Sequence, residues 1–152
     1  MARVLFGTFA ASVAALTLCG CSKGPPPIVP VEGVVLLDNQ PLPHARVRFA
    51  PNLQGPGGDY LAEAVTDDNG RFELTCKGQP GACACENRVI VIEGPMSAKG
   101  RGISEAAQTE AAKFLAGLKN RPIPAVYATA SKTPLSVTVT AGQTEYKLEL
   151  KR

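Results

Sequence analysis

The chain has 152 residues, 45% of them hydrophobic and 19% charged, with 15 Gly, 13 Pro and no Trp. That length holds one ordinary domain plus a targeting segment, and so much Gly and Pro suits short strands joined by turns rather than a helical bundle. The formal charge is +3, one less without Arg3, too small an excess to point to nucleic acid as a partner.

At the N-terminus one basic residue, Arg3, precedes an apolar or small run from Val4 to Leu18, followed by small residues and then a polar chain. This is the layout of a secretory signal. A permanent span needs about 20 apolar residues, so the run is short for one, and no other segment is long and apolar enough to cross a bilayer. Leu18-Cys19-Gly20-Cys21 resembles the lipobox of bacterial lipoproteins, with Leu at the third position before the cysteine and Gly immediately before it. The resemblance implies that residues 1–20 are a signal peptide and that Cys21 becomes the first residue of the mature protein with a covalent lipid on its thiol. Cys19 fits the lipidated position poorly, because Leu18 would stand where a small residue belongs, and it leaves with the leader. An ordinary cleaved signal with an incidental cysteine pair is the alternative. Two or three acyl chains give firm anchoring, since each buried methylene contributes about 0.8 kcal/mol and one chain holds only marginally. Ser22, rather than Asp, follows the cysteine. By resemblance to Gram-negative lipoproteins this favours the outer over the inner membrane, with the domain outside the cytoplasm.

Residues 21–30 end in a proline-rich stretch, Gly24 to Pro30, with little to bury. It reads as an extended, semi-rigid tether, and residues 31–152 read as the folded domain.

Strand patterns follow in order. Val31 to Leu37 is β-rich, and Asp38-Asn39-Gln40-Pro41 supplies a turn. In Ala45 to Ala50, Val47 and Phe49 share one face and Arg46 and Arg48 the other. Leu61 to Thr66 is a third run, and Asp67-Asp68-Asn69-Gly70 after it carries the Asn-Gly hairpin signal. Arg71 to Cys76 then points Phe72, Leu74 and Cys76 inward. Asn87 to Glu93 is apolar on both faces and suits a central strand. Ser136 to Thr140 and Glu145 to Leu150, joined by Ala141-Gly142-Gln143, read as a C-terminal hairpin with Val137, Val139, Tyr146, Leu148 and Leu150 inside.

Residues 103–119 break this rhythm with good helix formers. Ile103, Ala107, Ala111, Phe114 and Leu118 fall on one stripe, with Ser104 as a cap and Pro122 as a stop. The segment reads as an inserted short helix, with a loop of nascent helicity as the alternative.

Two stretches, VEGVVLLDNQPLPHARVRFAPN with AEAVTDDNGRFEL, and IPAVYATASKTPLSVTVTAGQTEYKLEL, resemble transthyretin-like and carboxypeptidase-regulatory-like domains and the small bacterial lipoproteins built on them. Gly33, Val35, Pro41, Ala45, Val47, Phe49, Thr66, Asp67, Gly70 and Phe72 are the matching positions, with a variable insertion at 95–121. Asn39 stands where the family has a turn glycine. The resemblance implies an antiparallel Greek-key β-sandwich of about seven strands. The matching residues have packing and turn roles, and none is catalytic. Gly33 and Gly70 relieve crowding or permit positive φ.

Cys76, Cys83 and Cys85 remain for chemistry. Outside the cytoplasm a disulfide is the first expectation, between Cys76 and either Cys83 or Cys85, adding ~2 to 3 kcal/mol by the chain-entropy model. A zinc site with His44 as fourth ligand is the alternative, although C-x-C is not the C-x2-C knuckle spacing. A catalytic Cys-His pair using His44 is a third. The Asp67–Gly70 turn fails as a calcium loop, because alignment on Gly70 puts Val65 and Cys76 at ligand positions. For carbohydrate, Tyr60 and Tyr127 are the aromatics left once Tyr146 is taken as internal. The reading is a non-enzymatic lipid-anchored envelope module with no cofactor beyond the lipid on Cys21, partnered by the membrane and by envelope proteins or polysaccharide. A small-ligand, carbohydrate or metal-binding protein is the alternative.

Overall fold

The computed structural model describes residues 26–53, 58–96, 100 and 102–152. Cys19, Cys21, the signal peptide and most of the tether lie outside the described residues. The strands are β1 (Ile28–Val29), β2 (Glu32–Leu37), β3 (Gln40–Pro41), β4 (Ala45–Pro51), β5 (Ala62–Val65), β6 (Arg71–Glu73), β7 (Thr75–Cys76), β8 (Gln79–Pro80), β9 (Ala82–Cys83), β10 (Glu86–Glu93), β11 (Ser136–Thr138) and β12 (Glu145–Leu150). One α-helix, α1 (Glu105–Gly117), falls between β10 and β11. Among the described residues no helix is long and apolar enough to cross a membrane.

The chain is mainly β, and its strands form two facing layers, consistent with a β-sandwich. One sheet has the order β11-β10-β4-β5-β7-β8; the other runs β12-β2-β3, with β6 also against β2; β1 and β9 make a small ribbon. Alternation fills the gap between the layers. Val35, Leu37, Phe72, Leu148 and Leu150 come from one sheet, and Val47, Phe49, Val89 and Val91 from the other; all are buried. The Phe49 and Phe72 rings meet with centroids 6.3 Å apart. Burying one such side chain stabilises the fold by about 1.5 to 3 kcal/mol.

Three expectations about partners need correction. The Asp67–Gly70 turn forms, with Asp67 Oδ1 accepting from the amides of Asn69 and Arg71 at 2.8 Å each. It is a corner between sheets rather than a hairpin, since β5 pairs with β4 and β7 while β6 pairs with β2. The run from Arg71 to Cys76 is two strands, β6 and β7, that change sheets at Leu74; the inward set Phe72, Leu74 and Cys76 is nonetheless buried. The C-terminal hairpin does not form: β11 joins β10, and β12 lies parallel to β2, so the sandwich is not antiparallel throughout.

That parallel pair explains Gly33. A Cβ there would lie 1.9 Å from the Tyr146 carbonyl oxygen, so only a bare backbone lets β12 approach β2. Gly70 has φ +74 and faces the Val35 carbonyl. Asp38 and Asn39 have φ of 52 and 63 and connect β2 to β3. These two positive φ values make a type I′ loop, and Asn tolerates the conformation better than other residues with a side chain.

The helix starts as read, with the Ser104 side chain accepting from the Ala107 amide, an N-cap. Ala107 is buried, and Ala111, Phe114 and Leu118 are half-buried, but Ile103 precedes the cap and is 95% exposed. Pro122 is not the stop: the helix ends at Gly117, and the chain turns at Asn120, φ 58.

Candidate functional site

The sequence-derived site residues separate to opposite ends of β4. At the end where β4 closes, Cys76 terminates β7 and Cys83 terminates β9. Lys77 and Gly78, both at positive φ, turn β7 directly into β8, again a two-residue loop whose twist suits a hairpin. β7 also packs against β9, and Cys76 and Cys83, both free thiols, lie almost fully buried at the ends of these two strands. Cys85 is half-buried, with its Sγ 3.4 Å from the Glu86 carbonyl oxygen.

Fully buried on β10, Asn87 donates through Nδ2 to the carbonyls of Cys83 and Cys85 at 3.0 and 2.8 Å. Its Oδ1 has no hydrogen-bond partner among the described residues. The amide thus ties the backbone of the C-x-C segment to β10. Burial pushes all three thiols up. Cys83 rises to about 11, from burial first and then from the neighbouring sulfurs of Cys76 and Cys85. Thiols held protonated in this way are poor nucleophiles and poor metal ligands.

Close by, the Lys77 ammonium sits 4.3 Å from the centre of the Tyr60 ring, a cation–π contact, and Cys76 Sγ is 3.4 Å from the Tyr60 carbonyl oxygen. Tyr127 is not an exposed aromatic. It is 5% exposed, and its hydroxyl accepts from the Lys151 amide at 2.9 Å. Tyr146 is internal, as read.

His44 lies at the other end, just before β4 begins. It has φ 52, and its Nε2 is 2.9 Å from Asp68 Oδ1, with both side chains largely in solvent. The structure therefore does not bring His44 to the cysteines, for zinc or for catalysis. Among the described residues no three His, Cys, Asp or Glu side chains group as metal ligands.

His44 and Asp68 instead line a recess of about 350 Å³ with Pro43, Gly117, Leu118 and Lys119. Its far wall is the end of α1, and two residues that the sequence did not single out secure that wall. Asn120 donates from Nδ2 to the carbonyls of Leu37 and Gln40 at 2.9 and 3.0 Å. Arg121 binds Glu93 at 2.7 Å through Nε and the Pro43 carbonyl at 2.6 Å through Nη2. A polar pair placed directly after a helix-like segment was the one signal available for them. The recess offers an imidazole, a carboxylate and an ammonium around an apolar lip, suited to contact with a polar surface rather than to bond making.

Comparison of the chain with family models, with curated proteins and with solved structures gives no match.

Proposed function

We propose that this chain is a lipid-anchored protein of the cell envelope, held by lipid on Cys21, whose sandwich serves as a non-enzymatic interaction or structural module. In this reading the connectivity is the Greek key of transthyretin-like and carboxypeptidase-regulatory-like domains. The observation that carries the proposal is the polarity of the domain. β1 enters beside Cys83 at one end of the sandwich, whereas the recess around His44, Asp68 and Lys119 lies beyond the other end of β2. Six residues of β2 separate them by about 20 Å. An anchor at Cys21 followed by a proline-rich tether would direct the recess away from the bilayer, towards envelope proteins or polysaccharide.

The Cys21→Ser variant tests the anchor. The expected outcome is a precursor that keeps its leader, or a product found in the soluble fraction, with no incorporation of labelled fatty acid. Normal processing and membrane retention of that variant would overturn the reading.

The recess also favours a second reading, a protein that binds a small polar ligand there. Replacing Lys119 and Asp68 together would then abolish a ligand-induced rise in melting temperature without changing membrane attachment.

A further inference from the structure

We propose that Cys76 and Cys83 form a disulfide that fastens the β1–β9 ribbon to β7, with Cys85 remaining a free thiol. β7 and β9, which end in these two residues, pack against each other, the Gly81 amide donates to the Leu74 carbonyl at 2.6 Å, and both thiols are buried. The Lys77-Gly78 turn returns the chain along β7 as β8, and Gly81 alone separates β8 from β9. Cys85 is set aside because Asn87 holds its carbonyl together with that of Cys83, and its Sγ is turned to the Glu86 carbonyl oxygen at 3.4 Å.

The consequence reaches the tether. Among the described residues β1 pairs with β9 alone, Ile28 opposite Cys83 and Val29 opposite Ala82, and the Pro27 carbonyl accepts from the Ala84 amide at 2.8 Å. A ribbon of two residues per strand has little stability of its own. Linking Cys83 to Cys76 binds it to the six-stranded sheet, and so fixes the direction in which the chain leaves the sandwich towards Cys21.

The chemistry is thiol–disulfide exchange with a disulfide-bearing oxidant, either a small-molecule disulfide or an envelope protein disulfide. One cysteine thiolate attacks that disulfide, forms a mixed disulfide and expels one thiolate. The second cysteine, as its thiolate, then attacks the mixed disulfide at the first cysteine's sulfur and expels the other. The pair loses two electrons and two protons, and the oxidant leaves as two thiols. Burial in the finished fold places this exchange before the core closes.

This inference rests on the extracytoplasmic reading for its oxidant in the cell, so the test separates the two. Full-length chain with Cys19 and Cys21 replaced by Ser is refolded with glutathione disulfide and digested with trypsin, which cuts after Lys77 between the two cysteines. The expected result is one titratable thiol per chain and a link between peptides 72–77 and 78–88, which fragmentation between Cys83 and Cys85 places on Cys83. The link should persist in Cys85→Ser and vanish in Cys83→Ser. Reduction should speed amide exchange in residues 28–31 and 82–84 by on the order of tenfold or more. Three free thiols, or a link that includes Cys85, would overturn the pairing whatever the compartment. A link that forms in glutathione but is missing from chain isolated from cell envelopes would leave the pairing standing and count against the envelope location. Should Cys83→Ser fail to fold, fragmentation of the linked 78–88 peptide from the chain that keeps all three cysteines decides the partner.

Discussion

The Arg121 guanidinium lies 2.7 Å from the Glu93 carboxylate, with the arginine side chain 10% exposed and the glutamate 37%. The same guanidinium reaches the Pro43 carbonyl, so one side chain ties the segment after α1 to β10 and to the turn before β4. Arg121→Met removes both contacts and leaves a carboxylate without its cation. The expected loss is about 2 kcal/mol in urea unfolding, with Arg121→Lys recovering little, because an ammonium lacks the fork that serves two acceptors at once. A loss below about 0.5 kcal/mol would show that the insertion is held by other contacts.

Gly33→Ala tests the parallel pairing of β2 with β12. An added methyl 1.9 Å from the Tyr146 carbonyl oxygen cannot be accommodated by a side-chain shift. The strands must separate, and we expect a destabilisation of about 3 kcal/mol or more, or failure to fold. Circular dichroism melts of the purified variant measure it; an unchanged midpoint would contradict the close approach.

Asn39→Gly should be neutral or stabilise by about 0.5 kcal/mol, whereas Asn39→Ala should cost about 1 kcal/mol. The φ of 63 at this position is easy for Gly, tolerable for Asn and strained for Ala. Matched denaturant curves of the two variants decide it, and equal stabilities would mean that the β2–β3 loop is not type I′ in solution.

The reduced domain should lose stability in alkali. The folded Cys83 thiol titrates at about 11 against an ordinary value of 9.0, so the unfolded chain gives up its proton first. The stabilising difference is complete below about pH 9 and disappears as pH rises through about 11. Comparing reduced wild type with Cys83→Ala across that window isolates the effect from Lys and Tyr titration. Parallel stability curves for the two proteins would refute it.

The faces of the strands were legible in the sequence, and their partners were not. Val47, Phe49, Phe72, Leu74, Cys76, Leu148 and Leu150 are all inside because alternation reports which side of a strand is dry. Alternation is silent about which sheet a strand joins. The change of sheet at Leu74, and the separation of β11 from β12, depend on how two layers close around one core. The Ser104 cap was legible as local chemistry, and Ile103 was misjudged because the helical period was extended past that cap. At the cysteines the spacing allowed two partners for Cys76. The proposed choice rests on Asn87, a buried polar residue whose role appears only when both carbonyls that it bonds are near it in space.

β2 is paired on one side by β3 and β6 and on the other by β12. One early strand therefore waits for a late one. A growing chain that has made everything up to Thr144 still lacks a side to its second sheet, leaving Val35 and Leu37 without Leu148 and Leu150 as neighbours. Contacts so distant along the chain form slowly. The second sheet is thus completed by β12, a strand made after all of the first sheet's strands.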